Sequence, residues 1–307
     1  MRSEYATDEL PAGFLSPLDA TPVGGVPMGS VSLLRLDLLG GIAAGNKCFK
    51  LRWDLDAARR DGINRVVSFG GAWSNHLHAL AALGHEQGFA TVGLVRGEAD
   101  PAQSEMLRDA AAWGMEIVPV ERSAYRRRNE QDYLERIRAR YAPCRVIPEG
   151  GASAGGARGC MAIADLVRRV APDVSHIAMA VGTGTTLAGL AAGLNSNYEL
   201  VGVAALKGAT DLAARTERAL ADCRVTDSAH WQILHHDHCG GFARVTDELR
   251  DFVLEFESVH GIPLEPVYTA KMLLAVQRRL RSGEWDPARP VLAIHTGGLQ
   301  GRRGFSW

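Results

Sequence analysis

The sequence predicts an α/β protein with two open parallel-sheet domains, and two observations lead to this prediction. Short apolar, β-branched runs alternate with stretches of helical character, an order typical of parallel sheets whose faces are covered by helices. The alternation occurs in two series that meet near residues 150–165, and a chain of 307 residues is long enough for two domains.

The first series follows an extended lead that is punctuated by prolines. A strand is expected over 33–38, and it runs into the glycine-rich stretch 40–50. Single glycines at positions 62, 88 and 114 stand just past predicted helices and mark their ends. The other elements predicted in this series are helix 52–60, strand 65–69, a helix ending near 87, strand 90–95, helix 103–113, strand 116–120, helix 129–140 and strand 145–147.

The second series has the same character. Neither an internal repeat nor a low-complexity linker separates it from the first, so we expect the two domains to be in close contact. Its predicted elements are strand 177–181, helix 185–194, strand 199–204, helix 212–222, helices 247–260 and 271–281, and strand 291–295.

Composition and charge argue against a nucleic-acid or membrane partner. The net charge is -1, and the hydrophobic and charged fractions of 46% and 22% are ordinary for a soluble globular protein. The charge-free run 177–194 is broken by four glycines and three threonines, so it predicts strand, loop and helix rather than a membrane span. A charged N-terminus and five cysteines without a Cys-x-x-Cys pair predict a reduced, cytoplasmic protein.

Lysine is rare in this chain. Of the 34 basic residues only four are lysine, namely Lys47, Lys50, Lys207 and Lys271, and the rest are arginine. An arginine neither loses its proton near neutral pH nor forms an imine, whereas a lysine amine does both when its surroundings lower its pKa. The four lysines are therefore candidates for amine chemistry, although chance retention explains any one of them equally well.

A second chemical signal follows the predicted strand 177–181. The loop from Gly182 to Gly189 combines glycines with threonine hydroxyls and opens a helix, which suits a phosphate dianion. It lacks the lysine of a Walker A loop and the glycine spacing of a dinucleotide fingerprint, and a tight turn without ligand stays open as an alternative. A reactive lysine beside a monophosphate site points to pyridoxal phosphate.

Six motifs resemble those of one enzyme family in the same order and over nearly the whole chain. The sequence is similar to the 1-aminocyclopropane-1-carboxylate deaminase and D-cysteine desulfhydrase family, which has the tryptophan synthase β-like fold (fold type II) of pyridoxal phosphate enzymes. The motifs are Asn46-Lys47-Cys48-Phe49-Lys50-Leu51, Gly70-Gly71-Ala72-Trp73-Ser74-Asn75-His76, Pro148-Glu149-Gly150-Gly151, the 182–189 loop, Glu265-Pro266-Val267-Tyr268-Thr269-Ala270-Lys271 and His295-Thr296-Gly297-Gly298.

The resemblance implies roles for individual residues. Lys50 would be the Schiff-base lysine, and Lys47 would be structural or lie near the phosphate. Asn75 would bond the ring hydroxyl of the cofactor, and Ser74 would meet the substrate carboxylate or take part in proton transfer, besides capping its helix. Tyr268 would be a further catalytic residue. The remaining cofactor contacts implied are Gly182, Thr183, Gly184, Thr185 and Thr186 at the phosphate, and Thr269 and Thr296 near the pyridine ring.

The resemblance also implies how the chain is divided and assembled. A large cofactor-binding domain would join residues 1–51 to residues 166–307, and a small domain would cover 52–165. A homodimer is expected, with a small amino acid as the substrate.

Three positions depart from the cyclopropane deaminases. Thr269 stands where they have a glutamate that can protonate the pyridine nitrogen, Phe242 stands at an active-site tyrosine, and Trp73 replaces a glutamine. A neutral hydroxyl makes the cofactor a weaker electron sink, which favours elimination, so a D-cysteine desulfhydrase-like lyase is predicted. The alternatives are 1-aminocyclopropane-1-carboxylate deaminase, a family member with another substrate or no turnover, and a nucleotide-binding protein without pyridoxal phosphate.

The histidine-rich stretch 235–239 suggests a metal site at first sight. Adjacent ligands on a loop do not have the spacing of a closed tetrahedral site, so we expect a polar loop beside the active site and no metal.

Overall fold

A computed structural model describes residues 10–18, 29–39, 41–97 and 104–307. The predicted fold class is confirmed, because the described residues form two separate sheets with helices on their faces. Parts of three predictions lie outside the described residues: the charged N-terminus, Gly40 of the stretch 40–50, and the start of helix 103–113.

Ten strands belong to the described part of the chain. They are β1 (Leu15–Pro17), β2 (Val31–Arg35), β3 (Arg65–Gly70), β4 (Ala90–Arg96), β5 (Glu116–Val120), β6 (Arg145–Ile147), β7 (His176–Val181), β8 (Glu199–Ala204), β9 (His230–Leu234) and β10 (Val291–His295).

Eleven α-helices connect these strands within the same residues. They are α1 (Asn46–Arg60), α2 (Asn75–Gln87), α3 (Glu105–Ala112), α4 (Arg122–Arg126), α5 (Gln131–Tyr141), α6 (Ala154–Cys160), α7 (Ala162–Val170), α8 (Thr185–Gly193), α9 (Leu212–Ala221), α10 (Asp247–His260) and α11 (Thr269–Ser282).

The larger sheet has six strands in the order β1-β2-β10-β7-β8-β9, and the smaller has four in the order β5-β4-β3-β6. Only β1 runs antiparallel, against β2, in the pairs formed by described residues. The central strands β7 and β10 are buried at every position, as their sequences, apolar except for one terminal histidine each, require for a sheet covered on both faces.

Two glycines let three helices approach one another at the junction of the sheets. A Cβ at Gly159 on α6 would overlap the carbonyl oxygen of Phe49 on α1, and a Cβ at Gly189 on α8 would overlap that of Ala157 on α6. Because these contacts are backbone to backbone, α6 is held tightly between α1 and α8. The packing brings the first turns of α1, with Lys50, beside the start of α8.

The segment after β10 of the larger sheet contacts elements that belong to the smaller sheet's side of the molecule. A 3₁₀ helix at Leu299–Gly304 follows β10, and its Arg303 forms ion pairs with Glu105 and Asp109 of α3. Gly304 lies against the ring of Trp73, where an added Cβ would be 3.3 Å from ring carbons. The predicted close contact between the two parts of the molecule is therefore present.

Most predicted elements match the observed ones within a few residues, with two kinds of difference. The helix predicted over 52–60 begins at Asn46, so the reactive stretch is helical rather than a loop. The sequence patterns also gave no indication of β1, β9, α4, α6 and α7. The division of the chain at residues 51 and 165 stays a prediction. No helix in the described residues has the length and apolar character needed to cross a membrane.

Candidate active site

Lys50 lies on the buried face of α1 and its side chain is only 4% exposed. Its Nζ donates to the carbonyl oxygen of Gly150 at 3.0 Å and to Oγ1 of Thr183 at 3.1 Å. Gly150 follows β6 of the small sheet, and Thr183 follows β7 of the large sheet. The amine therefore lies where the two sheets meet, at the carboxyl ends of parallel strands, the usual ligand position in such folds.

Burial sets the protonation of this amine. Desolvation, with a contribution from the neighbouring charge of Lys47, lowers the pKa of Lys50 from 10.5 to about 7. About half of the Lys50 side chains are thus unprotonated near neutral pH, whereas an ordinary lysine has roughly one neutral amine in a few thousand. Lys50 is therefore prepared for nucleophilic chemistry.

The start of α1 is fixed by the segment after β10. Gly45 has φ of +103°, and a Cβ there would overlap the carbonyl oxygen of Thr296. That same oxygen accepts the backbone N–H of Asn46 at 3.0 Å, so it satisfies one of the free amides at the helix start. Glycine at position 45 is what allows the segments to touch, and the contact fixes how α1 presents Lys50.

The predicted phosphate loop lies between β7 and α8. Gly184 has φ of +84°, and a Cβ there would overlap Oγ1 of Thr216. The N-cap residue of α8 is Gly184, which has no side chain to cap the helix, whereas Ser74, Ser104, Ser153 and Thr246 cap α2, α3, α6 and α10. The first amides of α8 thus remain available for an anion.

Hydroxyl and amide side chains surround this helix start. The hydroxyls of Thr183 and Thr185 are 3.0 Å apart, and Nδ2 of Asn46 donates to Oγ1 of Thr186 at 3.0 Å. Lys47 Nζ donates to Oδ1 of the same asparagine at 2.9 Å. The structure therefore brings the threonines of the loop and both lysines of the motif together in two hydrogen-bonded groups, one with Lys50, Thr183 and Thr185 and the other with Lys47, Asn46 and Thr186.

The start of α2 presents two further predicted residues. Ser74 caps the helix, because its Oγ accepts the amide of Leu77 at 3.2 Å. Asn75 accepts a hydrogen bond from Nε2 of Gln300 at 3.0 Å through its Oδ1, and an added Cβ on Gly298 would be 2.7 Å from its Nδ2. The capping interpretation of Ser74 is confirmed. The hydrogen bond from Gln300 turns the donor side of the Asn75 amide toward the segment after β10.

His76 lies next to Asn75 and is neutral. Ser68 Oγ donates to the carbonyl of Ile147 at 2.8 Å, so the 2.8 Å contact between Ser68 Oγ and His76 Nε2 requires the proton to be on Nε2. Burial and the charges of Lys47 and Lys50 lower the pKa of His76 to about 3. Its Nδ1 is an unprotonated acceptor that is buried without a hydrogen-bond partner among the described residues.

Tyr268 contacts the phosphate loop. Its ring carbon Cε1 would be 3.1 Å from a Cβ on Gly182, so glycine at that position makes room for the ring. Burial, followed by the charges of Glu265 and Glu149, raises the pKa of Tyr268. The phenol therefore stays protonated throughout the physiological range.

Glu265 supports the turn that carries Tyr268. Its carboxylate oxygens accept the amides of Val267 at 2.8 Å and Tyr268 at 2.7 Å. Burial nevertheless raises the pKa of Glu265 to about 7, so this carboxyl titrates close to neutral pH. The family resemblance assigned no role to Glu265, although this residue belongs to the 265–271 motif. Its position three residues before Tyr268 is the sequence signal that could have indicated its role.

Two threonines were predicted near the pyridine ring. Thr269 is fully buried at the start of α11, and its Oγ1 has no hydrogen-bond partner among the described residues. Thr296 is buried after β10, where its carbonyl oxygen binds α1 as described above. An unpaired buried hydroxyl costs free energy, so Thr269 Oγ1 is a polar group that a ligand would satisfy.

Two of the three positions that depart from the deaminase pattern, Phe242 and Trp73, are exposed. The Phe242 ring lies 6.3 Å from the Tyr268 ring in an edge-to-face arrangement and is 48% exposed. Trp73 is also exposed and packs on Gly304. In the stretch 235–239, Asp237 is paired with Arg279 at 2.9 Å, and the described residues contain no group of three or more side chains suited to a metal ion.

Besides Glu265, three residues were missed as site components by sequence reasoning. Asn46 joins α1 to α8, Gln300 orients Asn75, and His76 contributes a buried acceptor. Asn46 and His76 lie within the family motifs, so the sequence indicated their positions but not the residues that they contact. Gln300 lies beyond the last motif, and only the path of the chain after β10 brings it to α2.

Comparison with known proteins agrees with this geometry. Residues 28–297 match the sequence model of the family described as pyridoxal-phosphate dependent enzyme. The chain belongs to this family. It is therefore an enzyme with pyridoxal phosphate as cofactor, and its relatives place it among the lyases of the family.

The relatives are similar over most of their length. A Thermotoga maritima protein named "Putative 1-aminocyclopropane-1-carboxylate deaminase" is 30% identical over 285 residues, which are 89% of each chain. A D-cysteine desulfhydrase of Salmonella choleraesuis is 26% identical over 302 residues, covering 93% of this chain and 92% of the relative. A crystal structure described as an ACC deaminase homologue has a TM-score of 0.76 at 25% identity, covering 89% of this chain and 85% of that one. The fold is thus that of fold type II pyridoxal phosphate enzymes.

The residues present fit the cofactor of the family. The start of α8 with its threonine hydroxyls suits the phosphate, Lys50 supplies an amine that is about half neutral near pH 7 for the aldehyde, and the buried hydroxyl of Thr269 has no partner among the described residues. These three features were found in the chain's own atoms, independently of the family match.

Proposed function

We propose that this enzyme catalyses deaminating elimination from a small amino acid, with D-cysteine as the leading substrate class. The products would be a 2-oxo acid, ammonia and the departing β-substituent, so D-cysteine and water would give pyruvate, hydrogen sulfide and ammonia. The observation that carries the proposal is the buried Lys50 amine, held between Gly150 and Thr183 with its pKa lowered to about 7.

In this proposal the predicted residues hold the cofactor as follows. The segment 182–186 binds the phosphate, Asn75 donates to the ring hydroxyl, and Thr269 and Thr296 lie near the ring nitrogen. Lys50 is the covalent attachment point. When bound, pyridoxal phosphate supplies an aldehyde that captures the amino group of the substrate and a ring that withdraws electrons from its Cα.

The protein's own groups then move protons. Lys50 Nζ, as a neutral amine, accepts the proton from the substrate Cα, since its pKa is close to the working pH. The start of α2, with Ser74, binds the substrate carboxylate, because a helix N-terminus favours an anion. Tyr268 keeps its proton and is placed beside the phosphate loop, so it is our candidate for protonating the leaving group.

Thr269 supports elimination over ring opening. A hydroxyl beside the ring nitrogen cannot supply the full positive charge that a carboxylic acid stabilises there, so negative charge at Cα is less well tolerated. Early departure of a good β-substituent such as hydrosulfide relieves that charge. Ring opening of a cyclopropane has no such leaving group.

The second candidate is 1-aminocyclopropane-1-carboxylate deaminase. The Thermotoga maritima relative, which bears that name with the qualifier quoted above, favours it. The reaction would convert 1-aminocyclopropane-1-carboxylate and water into 2-oxobutanoate and ammonia. The side chains of Thr269, Phe242 and Trp73 are the sequence features that oppose it.

The two candidates are separated by product analysis. Purified enzyme loaded with pyridoxal phosphate is incubated with D-cysteine, L-cysteine, β-chloro-D-alanine and 1-aminocyclopropane-1-carboxylate, and 2-oxo acids, ammonia and sulfide are measured. We expect pyruvate from the D-amino acids at a rate well above that of 2-oxobutanoate. Exclusive production of 2-oxobutanoate would select the second candidate, and no 2-oxo acid from any of them would reject both.

We propose further that the enzyme is a homodimer in the cytoplasm. All five cysteines are free thiols, two of them buried, which supports a reducing compartment. Sedimentation analysis tests the assembly, and a molecular mass near 33 kDa would contradict the dimer.

A further inference from the structure

A short loop after β9 has an unusual backbone. Cys239 and Ala243 adopt positive φ values of 49° and 54° although neither is glycine, and Gly240 and Gly241 between them have φ of 89° and 114°. Two hydrogen bonds form consecutive turns here, from Gly241 N to His238 O at 3.0 Å and from Arg244 N to Gly241 O at 3.2 Å. Left-handed conformations at Cys239 and Ala243 are costly, so surrounding contacts must hold this 239–243 loop in place.

Lys271 on α11 provides such a contact with the 239–243 loop. It is only 1% exposed, and its Nζ donates to the carbonyl oxygen of Gly241 at 2.7 Å. Burial lowers the pKa of Lys271, so an amine at this position has a cost that an apolar side chain would avoid. In a chain with only four lysines, one of them is thus buried to bind a loop carbonyl.

The loop ends at the site described above. Phe242, at its tip, packs edge to face on Tyr268, whose ring in turn lies on Gly182 of the phosphate loop. On the other side, a Cβ on Gly241 would be 3.2 Å from Cβ of Lys207, which follows β8. The loop therefore lies along the carboxyl ends of β8 and β9, at the same edge of the large sheet as Lys50's partner Thr183.

We propose that Lys271 is a positioning residue, whose Nζ holds the 239–243 loop so that Phe242 forms one wall of the substrate pocket beside Tyr268. This rests on the proposed function insofar as the pocket takes an amino acid. The half-exposed ring of Phe242 presents an apolar surface next to the phenol that we assign to the leaving group. The loop would thus favour substrates with a small, uncharged β-substituent.

Hydrogen exchange tests the first half of the proposal without any substrate. Exchange of the amides in 239–244 is measured by mass spectrometry on the cofactor-loaded enzyme and on Lys271→Met, which keeps the length of the side chain but removes the donor. We expect exchange in this segment to become at least fivefold faster, with unchanged rates in β7 and β10. Lys207→Met is the matched control, since its amine is exposed on the other side of Gly241, and it should leave the loop's exchange unchanged.

Kinetics test the second half. With D-cysteine we expect Lys271→Met and Phe242→Ala each to raise KM about tenfold while kcat changes less than threefold, and the double variant to be no worse than the poorer single one. Such non-additivity indicates that both changes act through the same wall. Phe242 is exposed, so its variant provides a result even when Lys271→Met does not fold.

The outcomes separate the two proposals. Unchanged loop exchange in folded Lys271→Met, or an unchanged KM in Phe242→Ala, overturns the positioning role. Absence of turnover with every amino acid tested overturns the proposed function instead, while the exchange measurement still decides whether Lys271 holds the loop.

Discussion

Replacing Lys50 by methionine should stabilise the cofactor-free enzyme while abolishing covalent attachment of the cofactor. The native amine is buried, and its pKa falls from 10.5 to about 7, so folding forces a group that is charged in the unfolded chain toward its neutral form. This difference in pKa corresponds to roughly 5 kcal/mol of destabilisation below pH 7. Methionine fills a similar volume without this cost.

Two hydrogen bonds reduce the expected gain. Lys50 loses its contacts with Gly150 and Thr183, each worth about 1 kcal/mol, so Lys50→Met should be more stable by about 3 kcal/mol at neutral pH. In a chain of this size such a gain raises Tm by roughly 5 °C. Because the folded pKa is lowered, the cost is full below pH 7 and disappears as pH rises toward 10.

The assay is calorimetry of the cofactor-free proteins at pH 6.5 and pH 9. We expect the difference in Tm between Lys50→Met and the parent to shrink by more than half at pH 9. In a separate measurement with added pyridoxal phosphate, the visible absorbance of the covalently held cofactor should be absent from Lys50→Met at both pH values. Lys207→Met, an exposed lysine, should change stability by less than about 0.5 kcal/mol at either pH. A variant that is less stable than the parent, or a pH-independent difference, would refute the buried-amine reasoning.

Three further predictions concern the cofactor site. Gly184→Ala should weaken cofactor affinity at least tenfold and lower Tm, since a Cβ overlaps Thr216 and the φ of +84° is unfavourable for alanine; unchanged affinity by fluorescence titration would contradict this. Thr269→Val should raise Tm of the cofactor-free protein by roughly 2 °C, because a buried unpaired hydroxyl is removed, yet weaken cofactor binding; a Tm decrease would contradict it. Gln300→Glu should lower cofactor affinity about tenfold by forcing the Asn75 amide to turn, whereas Gln300→Met should have a smaller effect; equal effects would argue against control of the amide orientation.

The sheet elements were largely predictable because their signal is local. Strands such as β8 and β10 are apolar except for one terminal residue, Glu199 or His295, and their predicted bounds coincide with the observed ones. Helix α10 was equally clear, because Thr246 caps it and Gly261 ends it in the left-handed conformation. Nothing beyond the neighbouring residues is needed to specify these elements.

The beginning of α1 was not predictable from local pattern. Glycine at position 45 looks like a helix breaker, and only its contact with Thr296 shows that it serves as the helix start. The glycine-rich α6 was missed for a similar reason: its glycines disfavour a helix in isolation but permit backbone contact with α1 and α8. Tertiary contacts outweighed propensity in both places.

The candidate site likewise contains residues that the sequence indicated and residues that it did not. Resemblance over six motifs pointed to Lys50 and the 182–186 segment, and the structure places these residues in hydrogen-bonding contact. Gln300, by contrast, gave no signal, because its role depends on the path of the chain after β10. Residues that act through another residue are the ones that sequence reasoning misses.

The two buried lysines, Lys50 and Lys271, affect both the stability of the enzyme and its proposed function. Lys50 and Lys271 are buried at a cost, and in each case the amine binds a carbonyl oxygen that arginine's larger, permanently charged head group would not fit. Glu265, buried beneath Tyr268, likewise has its pKa moved to about 7. The site therefore contains buried groups whose charged forms are destabilised before the cofactor binds. In the proposed site the dianionic phosphate would lie near Lys47 and offset part of this cost, so the cofactor should stabilise the native enzyme through charge compensation as well as through contact.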